Sequence, residues 1–151
     1  MTMTISLLAD YPQFADAVVE CLSQEFGGVV SRPFYAALVQ NSLRRQGLPI
    51  TFIALRNGKL VGTAGLWRAD LLARQDLTPW LAALYIDGDN RQQGIGQRLQ
   101  QAVADFAVQS GFEHLYLYTT LVGYYERSGW SYIGDAIEYP DHSVRLYHRV
   151  L

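Results

Sequence analysis

The chain has 151 residues, half of them hydrophobic and 17% charged, with a net charge of −2. That length favours one domain able to bury a core unaided by disulfides; the composition excludes a disordered segment and a broad basic surface for nucleic acid. A single cysteine, Cys21, excludes an internal disulfide framework and a cysteine-rich zinc site, and points to a reducing, cytoplasmic setting. The first ten residues read as no signal peptide. No apolar run reaches the length of about 18 residues that a membrane helix needs.

In chain order, Met3 to Leu8 predicts a short strand. Asp10-Tyr11-Pro12 reads as a helix start with Asp10 as its cap, and Phe14, Val18, Cys21 and Leu22 repeat at helical spacing up to Gly27-Gly28. A second helix is expected from Ser31-Arg32-Pro33, with Phe34, Leu38 and Val39 as its apolar stripe and Gly47 and Pro49 as its close. Ile50 to Arg56 and Leu60 to Trp67 flank Asn57-Gly58, a two-residue hairpin signal because both turn positions need positive φ. Asp70 to Thr78 predicts a loop or short helical turn, and Trp80 to Ile86 a central strand buried on both faces.

Asp87 to Gly96 is a polar turn. Ile95, Leu99, Val103 and Phe106 then mark a long amphipathic helix closed by Gly111. His114 to Thr120 alternates Leu with Tyr as a strand, Leu121 to Ser128 predicts a short helix, and Trp130 to Tyr139 and Ser143 to Leu151 predict two last strands. The order βααββ followed by βαβαββ describes a mixed α/β layer fold of about seven strands with helices on both faces, in one domain over residues 1–151.

The informative segment is the turn Arg91-Gln92-Gln93-Gly94-Ile95-Gly96, which enters a helix directly after a buried strand. The first backbone N–H groups of a helix have no intrahelical partner, and the helix dipole adds partial positive charge there. Glycines at 94 and 96 remove Cβ atoms, so phosphate oxygens can approach those N–H groups; Arg91 and Arg98 add cationic donors. Two rival phosphate motifs fail: a P-loop needs Gly-Lys-Ser/Thr, and no Lys stands here; a dinucleotide fingerprint needs a third glycine, and position 99 is Leu.

About thirty residues downstream lies Tyr124-Tyr125-Glu126-Arg127-Ser128-Gly129-Trp130. Together with Arg91-x-x-Gly94-x-Gly96 it resembles the GNAT (GCN5-related N-acetyltransferase) superfamily, whose later signature, Tyr-Glu-x-x-Gly-aromatic, is filled by Tyr125, Glu126, Gly129 and Trp130. The resemblance covers essentially the whole chain, because the order of elements is also the family's.

The resemblance implies an acetyl-CoA-dependent N-acetyltransferase; His114 and His148 have no ligand partner in the sequence, so no metal is expected. It implies a fourth strand that splays from the fifth, so that Leu84, Tyr85 and Ile86 meet the pantetheine arm, with the N–H near Ile86 polarising the thioester carbonyl. It places the pyrophosphate on the N–H groups from Gln92 through Gln93, Gly94, Ile95 and Gly96 to Gln97, beside Arg91. Tyr125 falls where the family holds the proton donor for the departing thiolate; a phenol is protonated at neutral pH and suits that role. Tyr124 and Tyr125 on one helix would point about 100° apart, so only one of them can face the thiol. Neither the fourth nor the fifth strand carries a carboxylate, and the general base is left among Asp76, Glu138 and His142. Asp70, Asp76 and Glu138 together hint at a cationic acceptor. Expected partners are a small-molecule or peptide amine, with no nucleic acid or membrane, in a monomer or homodimer. Two alternatives stand beside this reading: an acyl-CoA-binding module without turnover, and an acetyltransferase acting on peptide N-termini.

Overall fold

The computed structural model describes residues 2–28 and 31–151. Its regular elements are β1 (Met3–Leu7), α1 (Ala15–Phe26), α2 (Arg32–Asn41), β2 (Ile50–Arg56), β3 (Lys59–Trp67), β4 (Trp80–Ile86), α3 (Ile95–Gln109), β5 (His114–Thr119), β6 (Ser131–Glu138) and β7 (His142–Val150). The strands form one mixed sheet in the order β1-β2-β3-β4-β5-β7-β6, in which only the β4–β5 pair is parallel. The predicted element order holds, with one exception. The helix expected over Leu121 to Ser128 is a single 3-10 turn, Tyr125–Ser128. Left-handed Gly123 (φ 83°) and Gly129 (φ 88°) bracket it and leave room for no more.

The hairpin between β2 and β3 forms as its sequence demands: Asn57 and Gly58 take φ of 51° and 78°. The α1 start differs from expectation. Two 3-10 turns, Leu8–Asp10 and Pro12–Phe14, precede the helix, so Asp10 lies too far from Ala15 to cap it and accepts a 2.8 Å hydrogen bond from Arg45 Nε instead. α2 stops at Asn41, well before Gly47. There Ser42 donates its hydroxyl to Val39 O and contacts Thr51 Oγ1 at 2.6 Å, which ties the helix end to β2. Phe34, assigned to the apolar stripe, is exposed, and Val39 carries the burial.

Strand alternation sorts the side chains onto two faces. On one, Ile95, Leu99, Val103 and Ala107 of α3 pack over Phe52, Leu66, Leu81, Leu115 and Leu117. On the other, Val18 and Leu22 of α1 and Val39 of α2 cover Ile53 and Leu55. A third cluster on this second face gathers Trp80, Leu71, Val144 and Leu146, with Tyr116 and Tyr118 against it. Leu99 is fully buried at the centre of the α3 layer. Leu99→Ala is expected to lower unfolding free energy by about 3 kcal/mol, the usual cost of a core cavity, measured by urea denaturation.

Candidate active site

The sheet opens along β4. Gly65 faces Ala82, but the next aligned pair is Thr63 with Tyr85, so Ala83 and Leu84 together oppose Ala64 alone. This is a β-bulge, and Ala83 sits in it at φ 52°. On its other edge β4 meets β5 only where Trp80 aligns with Tyr116, reinforced by a 3.1 Å bond from Tyr116 N to Pro79 O. Beyond that point the strands diverge. The expectation that β4 is buried throughout is therefore corrected: Trp80 to Ala82 are buried, whereas Ala83 to Ile86 are only half-buried.

The divergence opens a cavity of about 580 Å³. Its walls come from both faces of the sheet. Leu81, Leu84, Leu117 and Tyr125 belong to the α3-side cluster, while Tyr35, Tyr118 and Val144 belong to the clusters opposite. The cavity thus runs through the sheet. Asp87 N–H is bonded to Val61 O at 2.8 Å, so strand alternation turns the backbone groups of Ile86 toward the open edge. Ile86 O there accepts a 2.9 Å bond from Arg91 Nε.

The predicted cradle follows directly. Gly94 caps α3 in the left-handed conformation at φ 79°, and Gln92 is also left-handed at φ 62°. The first bond of the helix runs from Arg98 N to Gly94 O, so the N–H groups of Ile95, Gly96 and Gln97 have no intrahelical acceptor. A Cβ on Gly96 would stand 3.3 Å from Tyr124 Oη, which places that hydroxyl over the helix start.

The two neighbouring tyrosines stay in contact, and of the two it is Tyr125 that lines the cavity. Their rings meet edge to face at 4.8 Å and 86°. Tyr125 lines the cavity and packs against the α3-side core, with Trp130 and Tyr147 nearby. Burial, and secondarily the neighbouring Tyr124, pushes its phenol well above the ordinary tyrosine range. It therefore keeps its proton throughout the physiological range.

Of the residues singled out for the acceptor side, the structure brings Asp70 and Glu138 to the cavity wall, with Trp67 beside them. Asp76 lies away from it, exposed and in a 2.9 Å ion pair with Arg74. His142 reaches the cavity only through Glu138, at 3.5 Å. Trp80 is core, its indole donating to Leu77 O. Tyr118, which the sequence reading passed over, donates a 2.7 Å hydrogen bond to Glu138 Oε2. The Leu-Tyr alternation of β5 was its signal: Leu115 and Leu117 face α3, so Tyr116 and Tyr118 face the opposite layer. The carboxyl of Asp70 is pushed up to about 7 by burial and then by the charge of Glu138. Among the described residues, no cluster of three or more His, Cys, Asp or Glu side chains could hold a metal ion.

Over residues 15–130 the sequence matches the acetyltransferase (GNAT) family. The chain belongs to that family. It is accordingly an N-acetyltransferase, and the seven-stranded mixed sheet is the fold of its structural neighbours. An aminoglycoside 6'-acetyltransferase type Ii superposes with a TM-score of 0.74 at 18% identity, covering 97% of this chain and 96% of that one. An aminoglycoside 6'-N-acetyltransferase complexed with coenzyme A gives 0.74 at 16% identity over 99% and 97%. The GNAT-family acetyltransferase from Streptococcus pneumoniae gives 0.74 at 18% identity over 99% and 100%. No curated protein sequence matches the chain. Among the described residues no helix is long and apolar enough to cross a membrane.

The raised carboxyl of Asp70 predicts a pH signature in stability. Its folded-state affinity for a proton exceeds that of the unfolded chain, so the stability it contributes is full below about pH 4 and is lost as pH rises through about 7. The melting temperature of Asp70→Asn relative to the unsubstituted protein is expected to rise between about pH 4 and about pH 8, as followed by circular dichroism.

Proposed function

We propose that this enzyme transfers the acetyl group of acetyl-CoA to a small cationic amine, by direct attack within a ternary complex, with Tyr125 as general acid. One observation carries the reading: a single passage through the sheet joins the phenol of Tyr125 on the α3 face to an acidic chamber on the other. The resemblance to coenzyme A-bound and aminoglycoside-modifying neighbours supports both halves.

The residues present fit the cosubstrate. The unpaired N–H groups of Ile95, Gly96 and Gln97, with Gln92, Gln93 and Gly94 shaping the turn and Arg91 beside it, would hold the pyrophosphate. The exposed edge formed by Leu84, Tyr85 and Ile86 would take the pantetheine arm as an added strand. Acetyl-CoA supplies the activated acyl group. Ile86 N–H, turned into the gap, would donate to the oxygen on which charge develops during attack. Tyr125, still protonated because its surroundings are apolar, would donate to the sulfur as the C–S bond breaks.

Two results are expected. Thiol release from acetyl-CoA, measured over a panel of small amines, falls about 100-fold in kcat for Tyr125→Phe with KM for acetyl-CoA nearly unchanged; an intact kcat removes the acid role. Gly96→Val weakens coenzyme A binding by about tenfold or more in calorimetry, the scale of one charge-assisted hydrogen bond, in a protein whose circular dichroism shows it folded.

A further inference from the structure

The strands flanking the gap supply no carboxylate, yet an ammonium must lose a proton before it can attack a thioester. Five titratable groups outside Tyr125 line the chamber: Glu25 from the end of α1, Tyr35 from α2, Asp70 from the loop after β3, Tyr118 from β5 and Glu138 from β6. They are not equivalent. Glu25 is exposed at the rim. Glu138 is engaged: one oxygen accepts the Tyr118 hydroxyl at 2.7 Å, and the other lies 3.5 Å from His142 Nδ1. Asp70 is more enclosed, and no hydrogen-bond donor among the described residues reaches its carboxylate. Trp67 lines the same wall with its indole Nε1 packed over Gly65. An enclosed carboxylate left without a partner in an open cavity is a group shaped for something that enters it.

We propose that Asp70 takes the proton from the incoming ammonium while Glu138, held by Tyr118, grips a second positive centre, so that the acceptor is a small amine carrying at least two cationic groups. The inference rests on the acetyl-transfer reading above and deepens it. The ammonium passes one proton to the Asp70 carboxylate, and the freed lone pair forms the C–N bond. As the C–S bond breaks, the thiolate takes the Tyr125 proton. The nitrogen's second proton returns to the Tyr125 phenolate through water, and Asp70 releases its proton to solvent. A carboxyl poised near 7 is suited to the first step at neutral pH. The paired negative charges also exclude anionic amines, because like charges in a poorly solvated chamber repel.

The experiment uses the full chain and compares putrescine with butylamine across pH, with Asp70→Asn, Asp70→Glu and Glu138→Gln as variants and acetyl-CoA affinity measured alongside. The unsubstituted enzyme is expected to prefer putrescine, with kcat/KM rising through about pH 7. Asp70→Asn loses about 100-fold in kcat/KM and loses that rise, while its acetyl-CoA affinity is unchanged. Asp70→Glu recovers part of both. Glu138→Gln keeps a rise, moved to lower pH by loss of the Glu138 charge, and loses the preference for the diamine. An Asp70→Asn enzyme with the original rate and pH profile overturns the assignment while leaving acetyl transfer intact. If that variant does not fold, a flat profile in the unsubstituted enzyme overturns it equally. Equal use of both amines overturns the role of Glu138. Acetyl-CoA binding without acetylation of any amine removes the acetyl-transfer reading and this one with it.

Discussion

Everything at this site depends on the interrupted pairing between β4 and β5. A sheet interior normally satisfies every backbone donor and acceptor along both edges of a strand. Here one extra residue, in the Ala83–Leu84 bulge, rotates the second half of β4 out of register, and β5 continues in the company of β7, with which it pairs from His114 to Thr119. The sheet stays continuous because β7 holds β5 from the far side. What remains is an inner edge with free backbone groups in the middle of a folded domain. Such an edge favours an extended ligand able to pair with it, and coenzyme A's amide-bearing arm has that chemistry.

The same gap makes the two faces of the sheet chemically distinct and yet connected. The α3 side is largely apolar, and there Tyr125 packs against the same core cluster as Leu84 and Ile86. The opposite side concentrates negative charge from Asp70 and Glu138 beside the Tyr118 hydroxyl. Low local polarity keeps the Tyr125 phenol protonated and raises the Asp70 carboxyl, two shifts in the same direction with different consequences. A donor that holds its proton more tightly stays a donor; a carboxylate raised toward neutrality becomes a better acceptor. Burial would thus suit Tyr125 to the acid's part and Asp70 to the base's part in the proposed reaction.

Local signals in the chain were legible where neighbouring residues alone decide the conformation. Asn57-Gly58 read correctly because its φ requirement is internal to the turn, and the start of α3 after Gly94 because a glycine-rich turn leading into a helical apolar repeat marks a helix end whatever surrounds it. The Asp10 cap and the Leu121 helix were misread because their outcomes depend on distant partners and on flanking backbone. Arg45 claims the Asp10 carboxylate, and left-handed glycines on both sides cut the helix to one turn. Asp76, Glu138 and His142 stood level as base candidates in the sequence, and Arg74 removes the first of them.

Family and element order were determined by the sequence, because each is written in local patterns whose geometry is nearly independent of the rest of the chain, and the same short motifs nominated the proposed phosphate cradle and acid. The through-sheet cavity, the insertion of β7 between β5 and β6, and the meeting of Asp70 with Glu138 were decided only by tertiary structure. Asp70 and Glu138 lie 68 positions apart, and no local rule relates them. Their shared chamber exists because a bulge in one strand and the pairing of another with a distant partner open the sheet between them.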